Sequence, residues 1–348
     1  MPELDGQALA STLDPQLHKA CHGRLGKISW FRATWQHGGA GTGFSTWSLP
    51  DRSCGHREIP CVVKMPIGYS EYFWTKRLGL VHPDEWDEPR SLALPTPRVL
   101  AAGFELGGYD LAWIVMERFE NPPVAMEKTE SSMWAMFEST AEFHAAAILE
   151  KPIDLAELQP AKDWVSLVEK GLAALSTTEI EHGERWKKAL GQVSGCLDQL
   201  IDRWANRPID TWCHHDLHPH NAMRRMMPAS GSELGLPESA IPGPNRGHCA
   251  LIDLALVSPG CWIEDALYME RLFWGRSDQL CNIDPLSTLA ATRKAIGLPA
   301  DDESFELAEV RRVLMAASAP AFLRTEGDPV YLKAALGVIE RLLPRFIG

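Results

Sequence analysis

Short runs in which β-branched or aromatic residues alternate with polar ones dominate the first third of the chain, and longer runs with helical spacing dominate the rest. Residues 28–35 (Ile-Ser-Trp-Phe-Arg-Ala-Thr-Trp) and 44–49 (Phe-Ser-Thr-Trp-Ser-Leu) flank His37-Gly-Gly-Ala-Gly-Thr-Gly43, which predicts strand, glycine loop, strand. Pro60-Cys-Val-Val-Lys-Met65 predicts a third strand, with Pro at its first position and Lys64 in it or at its end. Residues 69–80 and 83–94 can each carry a short helix, the second interrupted by Pro89. Strands are expected again at 97–103 and 111–116. From about residue 121 helical patterns take over, at 131–149, 161–175, 179–204, 261–275, 286–296, 303–317 and 328–345. Two apolar strands at 222–226 and 249–254 bracket a Gly-, Pro- and Ser-rich tract over 227–248 that reads as an exposed loop or insertion. Those two strands could pair as a hairpin carrying residues on each side of one site.

Length and composition narrow the class. The 348 residues allow about two structural units, and no apolar run approaches the roughly 18 residues that cross a bilayer. A globular protein with no membrane partner is expected. Met1-Pro-Glu-Leu-Asp5 has neither a basic nor an apolar signal region, so the expected location is cytoplasmic. The eight cysteines include no C-x-x-C pair and read as reduced thiols. Lys and Arg total 34 against 46 Asp and Glu, a balance of −12 that repels nucleic-acid phosphates. It is compatible with a cationic small-molecule partner, and equally with solubility alone.

Four elements carry chemistry. In His214-His-Asp-Leu-His-Pro-His-Asn221 the spacing of His214, Asp216 and Asn221 reproduces the H-x-D-x-x-x-x-N loop of kinases. There the carboxylate receives the proton of the attacking hydroxyl, and the neutral amide oxygen ligates a hard cation without adding charge beside the phosphates. Asp and Asn around a Pro also make good turns, so this loop alone is only moderately specific. Ala250-Leu-Ile-Asp-Leu-Ala-Leu256 is an apolar strand broken by Asp253, a placement that a metal role would explain and that a loop cap would explain as well. Gly39-x-Gly41-x-Gly43 would let backbone amides approach triphosphate oxygens, although a glycine-rich hairpin needs no ligand. No Gly-Lys-Ser/Thr follows it, which excludes a Walker A loop. Lys64 interrupts the apolar run Val62-Val-Lys64, where a kinase needs a cation for the α- and β-phosphates. The four occur in kinase order, and that order makes one strong signal of four weak ones.

With these residues in view, the chain resembles the aminoglycoside phosphotransferase and choline kinase-like superfamily. His214 to Asn221 is similar to its H-G-D-L-H-P-G-N signature, and Leu251-Ile-Asp-Leu254 with Gly260 and Glu264-Asp-Ala266 to its I-D-W/F…G…D-L-A segment. Pro97 to Gly103, Ile114-Val-Met-Glu117 and Thr140-Ala-Glu-Phe-His-Ala145 look like its P-x-V-L, hinge and L-A-x-L-H-x elements, so the likeness covers about residues 28–275. The resemblance implies an α+β, protein-kinase-like two-lobed fold, with a β-rich N-terminal lobe over residues 1–118 and a mostly helical C-terminal lobe over 119–348. It implies transfer of the γ-phosphoryl group of ATP or GTP, with Mg2+, to a hydroxyl of a small molecule such as an amino alcohol, aminoglycoside or sugar. By position Asp216 would be the catalytic aspartate, Asn221 and Asp253 the magnesium ligands, and Lys64 the phosphate-binding lysine beside Gly39, Gly41 and Gly43. The backbone of Glu117 and Phe119 would meet the purine, and Asp265 would support the fold. The carboxylate partner of Lys64 would be Glu71 or Glu85. His214 would bond to backbone near the metal aspartate, and His218 would shape the loop. His215 and His220 depart from the signature by replacing two of its glycines.

Two other readings remain open at this stage. His214, His215, Asp216, His218 and His220 could together bind a transition metal and activate water in a hydrolase. That reading leaves the glycines, Lys64 and Asp253 without roles. The other is a nucleotide-binding module without transfer activity, against which stands the survival of every expected ligand. Oligomeric state leaves no mark in the sequence.

Overall fold

The computed structural model describes residues 6–31, 40–51, 55–225 and 248–347. In chain order its elements are α1 (Gly6–Ala20), β1 (Ser29–Phe31), β2 (Gly41–Asp51), β3 (Gly55–Ile67), α2 (Tyr69–Gly79), the single turn α3 (Pro89–Leu92), β4 (Val99–Gly103) and β5 (Ala112–Glu117). There follow α4 (Glu130–Glu150), α5 (Trp164–Thr177), α6 (Gly183–Ala205), β6 (Thr211–Cys213), β7 (Ala222–Arg225), β8 (His248–Leu251) and β9 (Ser258–Gly260). The chain ends in α7 (Ile263–Leu272), α8 (Pro285–Ala295), α9 (Asp302–Ser318), the short α10 (Leu323–Glu326) and α11 (Pro329–Leu342). Each expected helix and strand is present, with boundaries shifted by a few residues. Pro89 opens α3 at its first turn, where its missing N–H is no loss, instead of interrupting a longer helix. No helix among the described residues is long and apolar enough to cross a membrane.

Two compact units emerge, and neither is one continuous stretch of chain. The first comprises Met1–Glu127, Ala145–Lys151 and Pro219–Val257, and the second Lys128–His144, Pro152–His218 and Ser258–Gly348.

The first unit is built on a five-stranded antiparallel sheet in the order β1-β2-β3-β5-β4. In β3, Cys61, Val63 and Met65 are buried on one face, and period-two alternation puts Val62 and Lys64 on the other. The buried face packs with Ala10, Leu13 and Leu17 of α1, a helix absent from the sequence expectations. Lys64 faces away from that core. The hairpin of β7 and β8 pairs Ala222 with Leu251 and Arg225 with His248, as the sequence predicts.

Two expectations need correction. Gly41 and Gly43 lie in β2, not in a loop; Gly39 and most of the 227–248 tract lie outside the described residues. A Cβ on Gly41 would stand 2.6 Å from the Ala10 Cβ, and one on Gly43 would stand 2.5 Å from Cγ2 of Ile28, so intramolecular packing already requires both glycines. The second correction concerns β8, which stops at Leu251. Asp253 lies beyond it with φ +64° and its side chain is exposed, so it is not a carboxylate buried in a strand.

The second unit is helical. On α6, Trp186, Ala189, Leu190, Val193, Leu197, Leu200 and Trp204 are buried at spacings of three and four, one apolar stripe turned to the core. Asp163, Asp284 and Asp301 each accept a hydrogen bond from the backbone N–H three residues on and so start α5, α8 and α9. The Asp-x-x-Ser pattern at those sites is a start signal visible in the sequence. Gly41→Ala is expected to lower unfolding free energy by roughly 1–3 kcal/mol through overpacking against α1. Urea denaturation of the variant measures this, and an unchanged midpoint would place α1 elsewhere.

Candidate active site

In the first unit Lys64 is the hub. Its Nζ is hydrogen-bonded to Glu71 Oε1 and lies 3.6 Å from Asp253 Oδ1. Burial opposes the charge on Lys64, but the two carboxylates outweigh it and raise the ammonium pKa. Lys64 is therefore a cation at every physiological pH. Glu71 sits in the first turn of α2 and is buried, whereas Glu85 is paired with Arg90. Of the two candidate partners the structure places Glu71 on Lys64, because α2 follows β3 after a single residue and packs against β4 and β5.

Asn221 is buried in the turn that leads into β7, and its carbonyl accepts a 2.9 Å bond from the N–H of Ile252. The hairpin thus ties Asn221 to the residue before Asp253. Asp253 occupies the left-handed region, costing about 1–2 kcal/mol for a residue other than glycine. Ser70 at the start of α2 donates to the carbonyls of Leu254 and Val257 at 3.3 Å, which anchors the turn that follows. A neutral amide oxygen and a carboxylate, both hard donors and few in number, suit Mg2+, which keeps waters and phosphate oxygens in its shell.

Glu117 has a part that the sequence did not predict. Its carboxylate accepts from Arg98 N and Nε at 2.8 Å each and from the guanidinium of Arg225, and all three side chains are mostly or fully buried. Arg225 also donates to the carbonyls of Leu92, Leu94 and Thr96, and its Cζ lies 5.5 Å from the ring of Phe119. The backbone N–H of Glu117 is bonded to Arg98 O at 2.9 Å. A single apolar-strand glutamate beside two arginines distant in sequence carries no local signal of this triad.

In the second unit Asp265 organises the loop before Asp216. Its Oδ2 accepts from His214 N at 2.8 Å and its Oδ1 from His215 N at 2.7 Å, and His144 Nε2 lies 3.0 Å from Oδ2. His144 Nδ1 lies 3.0 Å from Nη1 of Arg293, a pure donor, so the tautomer that fits carries its proton on Nε2 and gives it to Asp265. Burial lowers the pKa of His144, partly countered by Asp265, and the ring stays neutral. Burial would raise Asp265, yet the His144 bond and the surrounding histidines hold it down at about 2. The anchored amides hold His215 at φ +62°, the position where the family signature has glycine.

Asp216 follows. Tyr268 on α7 donates to its Oδ1 at 2.5 Å, and His218 Nε2 lies 3.7 Å from the same oxygen. Burial opposes ionisation of Asp216, but His218 and Tyr268 outweigh it and keep the carboxyl below its ordinary pKa. His214 Nδ1 accepts from Asp216 N at 3.3 Å. Tyr268 went unnoticed in the sequence because one tyrosine on an ordinary helical pattern has no signature. Among the described residues no three His, Cys, Asp or Glu side chains come together as a metal site. The backbone amides of His214 and His215 bond to Asp265, and the His214 ring meets Asp216 N.

No family model matches the chain, and no curated protein does. Solved structures do. The aminoglycoside phosphotransferase of Alicyclobacillus acidocaldarius is similar at 11% identity over 93% of both chains, with a TM-score of 0.54. The aminoglycoside phosphotransferase APH(3'')-Id of Streptomyces rimosus is similar at 14% identity over 89% of this chain and 97% of that one, with a TM-score of 0.41. The chain has the protein-kinase-like α+β fold of the first of these.

Acid should loosen the second unit. The pKa of Asp265 in the folded protein is about 2, below the roughly 3.9 of an unfolded aspartate, so its stabilisation is present above that value and is lost as pH falls from about 4 to about 2. His144, lowered from about 6.5, acts in the same direction at higher pH. Unfolding midpoints measured from pH 7 to pH 3 should fall monotonically. Asp265→Asn should cost about 3–5 kcal/mol at pH 7 and flatten that decline.

Proposed function

We propose that this protein is a phosphotransferase that moves the γ-phosphoryl group of ATP, or of GTP, to a hydroxyl of a small molecule. The observation that carries the reading is the cation of Lys64 held between Glu71 and Asp253, with Asn221 tied by the hairpin to the neighbour of Asp253. Lys64 would hold the α- and β-phosphates as a fixed charge. Asn221 and Asp253 would hold Mg2+, which when bound supplies charge neutralisation at the phosphates. The carbonyl of Glu117 and the amide of Phe119 would face the purine, with Glu117 itself immobilised by Arg98 and Arg225.

Asp216 would accept a hydrogen bond from the acceptor hydroxyl and aim its oxygen at the γ-phosphorus. Its depressed pKa makes it an ionised positioning group more than a strong base, and that suits a transition state in which little covalent work falls to the protein. A cysteine nucleophile is disfavoured, since burial pushes the thiols of Cys21, Cys61 and Cys261 up to about 12. The seven cysteines among the described residues are free thiols, which fits a reducing, cytoplasmic location.

Transfer of label from γ-labelled ATP to hydroxyl compounds tests the reading. Asp216→Asn should lower kcat by roughly two to four orders of magnitude with nucleotide affinity near that of the parent. Asp253→Ala should instead weaken Mg-ATP binding in titration calorimetry. An active Asp216→Asn protein, or an Asp253→Ala protein that binds Mg-ATP normally, refutes the assignment. Tyr268→Phe removes a donor to ionised Asp216, so the acid limb of kcat/KM should move to higher pH.

A further inference from the structure

Among the described residues the cationic side chains grouped around α7 outnumber the carboxylates that meet them. Glu264, Tyr268 and Arg271 stand at i, i+4 and i+7 on one face of α7, with Tyr268 bonded to Asp216. At 1.5 Å rise per residue, Glu264 and Arg271 lie about 6 Å and about 4.5 Å along the axis from Tyr268. Arg207 Nε donates to Glu264 Oε1 at 2.9 Å, and Arg271 pairs with Glu326 and donates to Tyr331 Oη at 3.0 Å. A Cβ on Gly260 would stand 3.2 Å from Glu264 Oε1 and 3.3 Å from His215 Cε1, so Glu264 lies against the catalytic loop.

Arg311 of α9 joins this group. Its Cζ lies 4.9 Å from the ring of Trp164 and 4.6 Å from that of Trp204, and Arg207 Cζ lies 4.5 Å from the same Trp204 ring. Lys162 Nζ lies 5.8 Å from the ring of Trp164. Among the described residues neither Arg311 nor Lys162 has a hydrogen bond or ion pair through its charged group. The group therefore sets four cations, Lys162, Arg207, Arg271 and Arg311, against two carboxylates, Glu264 and Glu326, in a protein whose overall balance is −12. Burial and the neighbouring Arg207 and Arg271, only partly offset by Glu264, bring the Arg311 guanidinium down to about 10. Burial, Arg311 and Arg271 likewise lower Lys162 against the pull of Glu326 and Glu264. Mutual repulsion among cations set against tryptophan rings is relieved by a bound anion. A guanidinium with indoles on two sides keeps its edge donors for such a group, and their fork matches an oxyanion.

We infer that the acceptor of this enzyme is an anionic hydroxy compound whose carboxylate or phosphate is received by Arg311 and Lys162 while its hydroxyl lies at Asp216. The inference rests on the phosphoryl-transfer reading above and departs from the cationic partner that the whole-chain charge permits. D-Gluconate and D-glucose 6-phosphate would bind these cations better than D-glucose, and glucosamine or ethanolamine would be excluded by like charge.

Titration calorimetry and initial rates with Mg-ATP should be run on this panel. The expected result is at least tenfold tighter binding of one anionic probe than of glucose, weakened by added salt, and which of the two wins identifies carboxylate or phosphate. Arg311→Met should raise the KM for that probe at least tenfold and change kcat less than threefold, and Arg311→Lys should restore part of the affinity. Lys162→Met, at an exposed position, gives a second reading should Arg311→Met fail to fold, with a several-fold rise in KM expected. Equal affinity for glucose and both anions, or a preference for the amines, overturns the inference. Anion binding that is lost in Arg311→Met without any phosphoryl transfer would keep the oxyanion site and refute the phosphotransferase reading instead.

Discussion

The ionised carboxylate of Asp265 governs the course of the chain into Asp216. It is fully buried, and it satisfies two backbone N–H groups that would otherwise be orphaned while accepting the proton of a neutral histidine. Those two bonds hold His215 in the left-handed region just before Asp216 meets Tyr268. The support extends outward through His144 to Arg293, itself buried and placed with its Cζ 5.3 Å from the Trp262 ring. A carboxylate buried behind the loop thus sets where Asp216 can be.

The first unit solves a similar problem with two separate ion clusters. Lys64 with Glu71 and Asp253 leaves the ammonium oriented yet adjacent to an exposed carboxylate, an arrangement suited to meeting a charged ligand. Glu117 with Arg98 and Arg225 is buried: three carbonyls and a carboxylate take up donors on both Arg225 Nη atoms, and the cluster locks β5 to β7 and to the segment around Leu94. One keeps a carboxylate open to solvent and the other is buried. The distinction lies in exposure, not in the residue types.

Charge around α7 differs in sign from that of the chain as a whole. The chain carries a net −12, yet Arg311 and Lys162 stand beside tryptophans without carboxylate partners among the described residues. Net charge speaks for solubility and long-range attraction, whereas a binding pocket is decided by a few groups within several ångströms of one another. Four cations drawn from α6's end, α7, α9 and the segment before α5 are a product of packing.

Local physics was legible in the residues themselves. Alternation in β3, the apolar stripe of α6, the Asp-x-x-Ser helix starts and the spacing of His214, Asp216 and Asn221 each depend on neighbours within a few positions, so strands, helices and the candidate chemistry could be read directly. Long-range choices could not. Whether Glu71 or Glu85 meets Lys64, whether Gly41 answers to a ligand or to Ala10, where β8 ends relative to Asp253, and that Tyr268 bonds Asp216 all follow from elements distant in sequence coming together. Several placements satisfy the same local preferences, and only close packing with full pairing of buried charges selects among them.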